Sequence, residues 1–308
     1  KMGLKYGIIG VGAIGGFYGG RLANAGCDVH FLFHSEYNHV KEHGFQVDSV
    51  DGDFHLSDIS VYNNSSDMPK CDVVLVSLKS TQNHLLPQLL APILHESSMV
   101  ILIQNGLGLE AELALSFPQT TIVGGMAFIC SSRIGLGHIQ HKDYGSLNIG
   151  FHQHRNEAVL MRFLEDCGCA GLTVTVADDL YSARWKKLVW NIPYNGLTVV
   201  LNATTEQIMK NSFSRQLVKE LMDEVRAAAL ANGATIEESF ILDMLNMTDE
   251  MRPYSPSMKL DWDNHRPLEI QAIYLNPIEE AKKAGCPMRK VEALSQILLS
   301  LSKNAELI

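Results

Sequence analysis

Apolar residues in the first half of the chain fall into short blocks separated by polar or glycine-bearing turns. Lys5-Tyr6-Gly7-Ile8-Ile9, Cys71 to Leu78 and Met99 to Ile103 read as buried strands. Near-continuous apolar runs of this length suit parallel strands covered on both faces. Asp28 to Phe33 predicts a further strand, and Phe45 to Leu56 a hairpin turning at Asp51-Gly52. Helices are expected over Phe17 to Gly26, Tyr37 to Gly44, the stretch up to about Leu94, and Asn156 to Cys167. Ile122 to Gly150 is β-rich and punctuated by glycine, and Leu172 to Val176 supplies a last strand. Alternating strands and helices predict a doubly wound α/β domain over residues 1–177. From Ala177 the strand signals stop. Leu180 to Val189, Ser214 to Asn232, Ser239 to Met247, Pro267 to Ala284 and Val291 to Ser302 carry helical periodicity, which predicts an all-helical domain over residues 178–308. With no repeat or low-complexity linker between them, the two domains are expected to abut, leaving a cleft.

The first strand runs into Gly10-Val11-Gly12-Ala13-Ile14-Gly15, and a helix follows at once. A strand, a turn without side chains and a helix N-terminus make a phosphate cradle, in which backbone N–H groups and the positive helix end face a pyrophosphate. The first domain is therefore expected to be of the Rossmann type, with residues 10 to 15 on the dinucleotide. The ribose is read roughly 20 residues further on, at the end of the second strand. A carboxylate there would select NAD by binding the 2′-hydroxyl. This strand ends instead in His34-Ser35, with Glu36 one step beyond and no arginine at the position. A histidine and a serine hydroxyl can hold a 2′-phosphate, so NADPH is the expected cofactor.

Composition narrows the partners. The chain has 308 residues, long enough for two cores, and a net charge of −9, which argues against nucleic acid and anionic membrane. No run of about 18 uncharged apolar residues occurs, so no bilayer span is predicted. The first residues lead straight into a strand, so no signal peptide is expected and a cytoplasmic location is the plain reading. The six cysteines show no disulfide framework, and Cys167-Gly168-Cys169 lacks the partners of a metal site. His39 and His43 stand at i, i+4, as in metalloprotease helices, but the glutamate between them is misplaced and no third ligand is evident. No metal is expected.

The polar residues that stand out lie in Arg184-Trp185-Lys186-Lys187-Leu188-Val189-Trp190-Asn191-Ile192-Pro193-Tyr194-Asn195. Lys187, Asn191 and Asn195 are spaced i, i+4, i+8 and share one helix face among apolar neighbours. A surface lysine with asparagines bridging helices would give the same spacing. Pro193 removes one helical hydrogen bond and is expected to disturb the helix near the asparagines. Pro267-Leu268-Glu269 reads as a helix start, where proline and an acid are both favoured on local grounds.

Taken together, Gly10-x-Gly12-x-x-Gly15, Leu78-Lys79-Ser80-Thr81-Gln82, Asn105-Gly106-Leu107-Gly108, Trp185-Lys186-Lys187-Leu188 with Asn191 and Asn195, Ser257-Met258, and Arg266-Pro267-Leu268-Glu269-Ile270 occur in an order and spacing that resemble the ketopantoate reductase family nearly end to end. The resemblance implies NADPH-dependent reduction of 2-dehydropantoate to pantoate. It implies Lys187 as general acid, Asn191, Asn195, Ser257 and Glu269 as substrate residues, and Lys79 and Asn105 at the cofactor. It is compatible with a homodimer. Three features depart from the family's pattern: His34 stands where an arginine is common, Tyr254 where some members have asparagine, and Pro193-Tyr194 between the two asparagines is unusual. Two other functions fit the same scaffold, namely reduction of a different 2-keto acid and a catalytically silent NADP-binding sensor. The sensor has no need of a general acid.

Overall fold

A computed structural model describes residues 3–308. The chain divides into two compact units, one made of Lys1–Gln104 with Leu109–Leu180 and the other of Asn105–Gly108 with Tyr181–Ile308.

The first unit is α/β, as expected. Its strands are β1 (Lys5–Ile9), β2 (Asp28–Leu32), β3 (Phe45–Ser49), β4 (Phe54–Leu56), β5 (Ser60–Tyr62), β6 (Val73–Val76), β7 (Met99–Ile103), β8 (Thr121–Gly135), β9 (His138–Gln153) and β10 (Val174–Val176). They form one mixed sheet in the order β4-β3-β9-β8-β7-β6-β1-β2-β5, with β10 paired to β9. The block β5-β2-β1-β6-β7-β8 is parallel throughout and has the order of a dinucleotide-binding sheet. Beyond it the long β8–β9 hairpin turns the sheet antiparallel, and β3 joins β9 in parallel. The expected β3–β4 hairpin forms with Phe45 opposite Leu56, its turn centred on Val50-Asp51, one residue before Asp51-Gly52. Every residue of β6 and β7 is buried, the physical reason for their unbroken apolar runs.

Helices of this unit are α1 (Ala13–Asn24), α2 (Tyr37–His43), α3 (Leu86–Leu90), α4 (Leu109–Ser116) and α5 (Glu157–Cys169). The helix expected up to Leu94 is for the most part a tight 3-10 turn over Ser80–Leu85, followed by the five residues of α3. Asn156 starts α5, its Oδ1 accepting from Val159 N–H at 3.3 Å.

The second unit is helical: α6 (Leu180–Val200), α7 (Thr205–Lys210), α8 (Ser212–Ala231), α9 (Phe240–Glu250), α10 (Ser257–Asp263), α11 (Asn276–Lys283) and α12 (Arg289–Asn304). Helix α6 continues through Pro193 for 21 residues and is buried almost all round from Leu188 to Val199. Burial of that much apolar surface outweighs one missing hydrogen bond. The expected helix start at Pro267-Leu268-Glu269 is corrected: these residues precede the helix, and a π-helical turn over Gln271–Leu275 leads into α11. Among the described residues no helix is long and apolar enough to cross a membrane.

Candidate active site

In the first unit, β1 delivers its chain to Gly10, whose φ of +89° few side chains tolerate and whose Cβ, if present, would lie 2.6 Å from the Leu78 nitrogen. The Ser77 hydroxyl donates to Gly10 O at 2.6 Å, tying the end of β6 to the turn. A Cβ on Gly15 would sit 2.3 Å from Gly10 O, so this glycine closes the turn onto the helix. Gly12 is different: a Cβ there would meet nothing within 4 Å. It stands at the N-cap of α1, in an extended conformation with no side-chain cap and no acidic residue in the first turn. Open space above uncapped N–H groups at a helix N-terminus fits a pyrophosphate. Val11 and Ile14 pack against the sheet core, and Ala13 takes a hydrogen bond on its carbonyl from Ser131 Oγ at 3.0 Å.

Lys79 is half-buried in the loop after β6, next to the Leu78 backbone that Gly10 approaches. That loop is held by a residue to which the sequence reading assigns no role. Gln104, buried at the end of β7, donates to Leu78 O and to Asn83 Oδ1, both at 2.7 Å. The signal for it is its position, directly after a fully buried strand and before Asn105-Gly106. At the end of β2, His34 and Ser35 are exposed, while Glu36 is 4% exposed. Both Glu36 oxygens are engaged, Oε1 by the Arg133 guanidinium and Oε2 by Gly137 N–H at 2.8 Å.

In the second unit, the α6 stripe meets the Asn105–Gly108 turn. Asn191 Nδ2 donates to Asn105 Oδ1 at 3.1 Å. The turn is fixed against the segment that follows Glu269. Leu107 N–H donates to Ala272 O at 2.9 Å, and Asn276 Nδ2 donates to Leu107 O at 2.8 Å. Gly106, at φ +117°, leaves room for that approach, since a Cβ would be 2.5 Å from the Ala272 Cβ. The carbonyl used belongs to the π-helical turn, a distortion frequent at functional sites. Glu269 is buried, and its carbonyl accepts from Ile273 N–H at 3.2 Å.

Asn195 is 1% exposed, and its Oδ1 accepts from Met258 N–H at 3.1 Å. It thereby holds the first turn of α10, whose first residue is the half-buried Ser257. The Tyr254 ring lies 6.5 Å from that of Trp190, tilted by 40°, and its carbonyl accepts from Thr205, so at this departure from the family pattern the side chain packs with the helical core. Lys187 is half-buried. Its neighbour Lys186 is engaged elsewhere, 2.8 Å from Glu237 and over the Phe240 ring. Burial pushes the Tyr194 phenol up to about 12 and raises that of Tyr274 as well. These hydroxyls are spent on Met209 Sδ and Ile192 O respectively.

The sequence matches the family described as ketopantoate reductase PanE/ApbA over residues 6–154, and its C-terminal counterpart over residues 179–302. It is 48% identical over 295 residues to a 2-dehydropantoate 2-reductase from Nostoc sp., covering 94% of this chain and 92% of that one. The structure resembles a 2-dehydropantoate 2-reductase from Geobacter metallireducens with a TM-score of 0.93 and 38% identity, over 97% of this chain and 100% of that one. It shares its fold with D-mandelate dehydrogenase, solved with NADH and anilino(oxo)acetate, at a TM-score of 0.90 but 20% identity, over 99% of this chain and 100% of that one. Fingerprint, sheet order, helical unit and relatives agree, and the chain belongs to the ketopantoate reductase family.

Proposed function

We propose that this chain reduces 2-dehydropantoate to pantoate with NADPH, using Lys187 as the general acid. The hydrogen bond between Asn191 and Asn105 carries this reading, because it joins the polar face of α6 to the Asn-Gly-x-Gly turn. Bound NADPH supplies the hydride that reaches the keto carbon. Negative charge then grows on the carbonyl oxygen, where the Lys187 ammonium stabilises it and delivers the proton that completes the new hydroxyl. The Asn191–Asn105 pair is neutral, so it can orient groups without competing for that proton. Ser257 and neighbouring backbone donors receive the substrate carboxylate, with Asn195 holding the helix turn that presents them. Glu269 accepts from the distal hydroxyl of the substrate.

Consumption of NADPH measured against a panel of 2-keto acids tests the proposal. Turnover is expected to be fastest with the hydroxylated acid; NADPH binding without turnover of any member would instead mark a sensor. Glu269→Ala should raise KM for 2-dehydropantoate by about 10–100-fold, the effect of losing a hydrogen bond to a charged partner, and should change little for keto acids lacking the distal hydroxyl. Equal losses on both substrates would remove Glu269 from that role. The proposed setting is the cytoplasm. A ketopantoate reductase of the same fold from Staphylococcus aureus is dimeric, and a homodimer is proposed here, to be read by light scattering on the purified chain.

A further inference from the structure

The end of β2 poses a problem for NADPH: His34 and Ser35 are the exposed residues there, and the nearest carboxylate, Glu36, would repel a dianionic phosphate. The structure answers it from another strand. Ser131 and Arg133 lie two apart on β8 and so point to the same side. Ser131 Oγ reaches Ala13 O at the first turn of α1, and Arg133 reaches Glu36 just past the end of β2. Their line runs from the pyrophosphate cradle to the place where the ribose is read. The turn after β8 is held firmly, with Gly137 N–H on Glu36 Oε2 and Gly137 O accepting from Gln46 N–H, both at 2.8 Å. The carboxylate is thus matched by a cation and a backbone donor. A guanidinium has five N–H donors in a planar fork, and one edge turned to Glu36 leaves another to offer. The Arg133 side chain is 48% exposed, whereas that of Glu36 is 5% exposed, so a half-open guanidinium stands on a buried anchor.

We propose that Arg133, fixed by Glu36, receives the ribose 2′-phosphate of NADPH and sets the preference over NADH. This rests on the NADPH reading given above, and it assigns to β8 the arginine that β2 lacks.

Calorimetric or fluorescence titration with NADPH, NADH, 2′,5′-ADP and ADP tests it. Arg133→Ala should weaken NADPH and 2′,5′-ADP by about 10–100-fold, and change NADH and ADP by less than about twofold, because only the first pair carries the 2′-phosphate. Arg133→Lys should recover part of the loss, keeping the charge without the fork. Since Arg133→Ala strands a buried carboxylate, the double variant Glu36→Gln, Arg133→Ala is made as well and should show the same selective loss. Equal weakening of all four ligands, or of none, in both variants overturns the proposal. Failure of the unaltered chain to reduce any keto acid would overturn the proposed function instead, while selective loss of 2′,5′-ADP binding would still uphold the assignment to Arg133.

Discussion

Lys187→Ala is expected to lower kcat by about 10²–10⁴-fold, the usual worth of general acid catalysis. The Kd for NADPH should stay within about twofold, because the ammonium acts on charge that develops only in the transition state. Lys187→Arg should recover little of the rate: it restores the positive charge but holds its proton too tightly to release it. Lys186→Ala is the control. Lys186 lies about 100° around α6 from Lys187, and it is occupied by Glu237 and the Phe240 ring. It should turn over normally. Were Lys186→Ala the crippling change and Lys187→Ala benign, the assignment of faces on α6 would be reversed, and the mechanism would fall with it. The neighbouring phenols are poor substitutes for the acid, since burial raises both Tyr194 and Tyr274 and each hydroxyl already has an acceptor.

What the sequence discloses is what local physics enforces. The strand, glycine turn and helix at residues 5 to 24 are legible because each glycine answers a constraint set within a few residues or by the adjacent strand. The fully apolar β6 and β7 are legible because both faces are covered. Where partners are distant in sequence the pattern is silent. The pairing of β3 with β9 spans about 90 residues and leaves no periodic trace, and three-residue β5 is too short to show one. Helix α6 runs on through its own proline, where burial outweighs the missing hydrogen bond, so its length is not legible from the local signal at Pro193. The short α7 does carry a signal: Thr204 and Gln207 form a reciprocal capping box. At the candidate site, the i, i+4, i+8 spacing reveals a shared face but not its partners. Asn105 lies 86 residues from Asn191, and the union of Arg133 with Glu36 spans 97. Only the folded chain brings these together.

The fingerprint glycines should separate folding from cofactor binding. Gly12 has φ −101° and ψ −152°, a conformation open to residues with a side chain, and its missing Cβ faces empty space. Gly12→Val should therefore fold with nearly unchanged Tm. Its branched side chain would occupy the volume proposed for the pyrophosphate, so NADPH affinity should fall by about 10–100-fold or more, the consequence of overfilling a close-packed contact. Gly15 has no such room. A Cβ there would stand 2.3 Å from Gly10 O and 2.4 Å from Ser77 Oγ, and the first of these is backbone that cannot rotate away. Gly15→Ala must push α1 off the turn, at a cost of about 1–3 kcal/mol, which for a unit of this size lowers Tm by roughly 2–10 °C. Thermal unfolding and NADPH titration on the two variants read both effects. If Gly12→Val bound NADPH like the unaltered chain, the pyrophosphate would not lie at the N-terminus of α1. If instead Gly12→Val unfolded as readily as Gly15→Ala, the open space above Gly12 would be structural in origin, and its link to the dinucleotide would be lost.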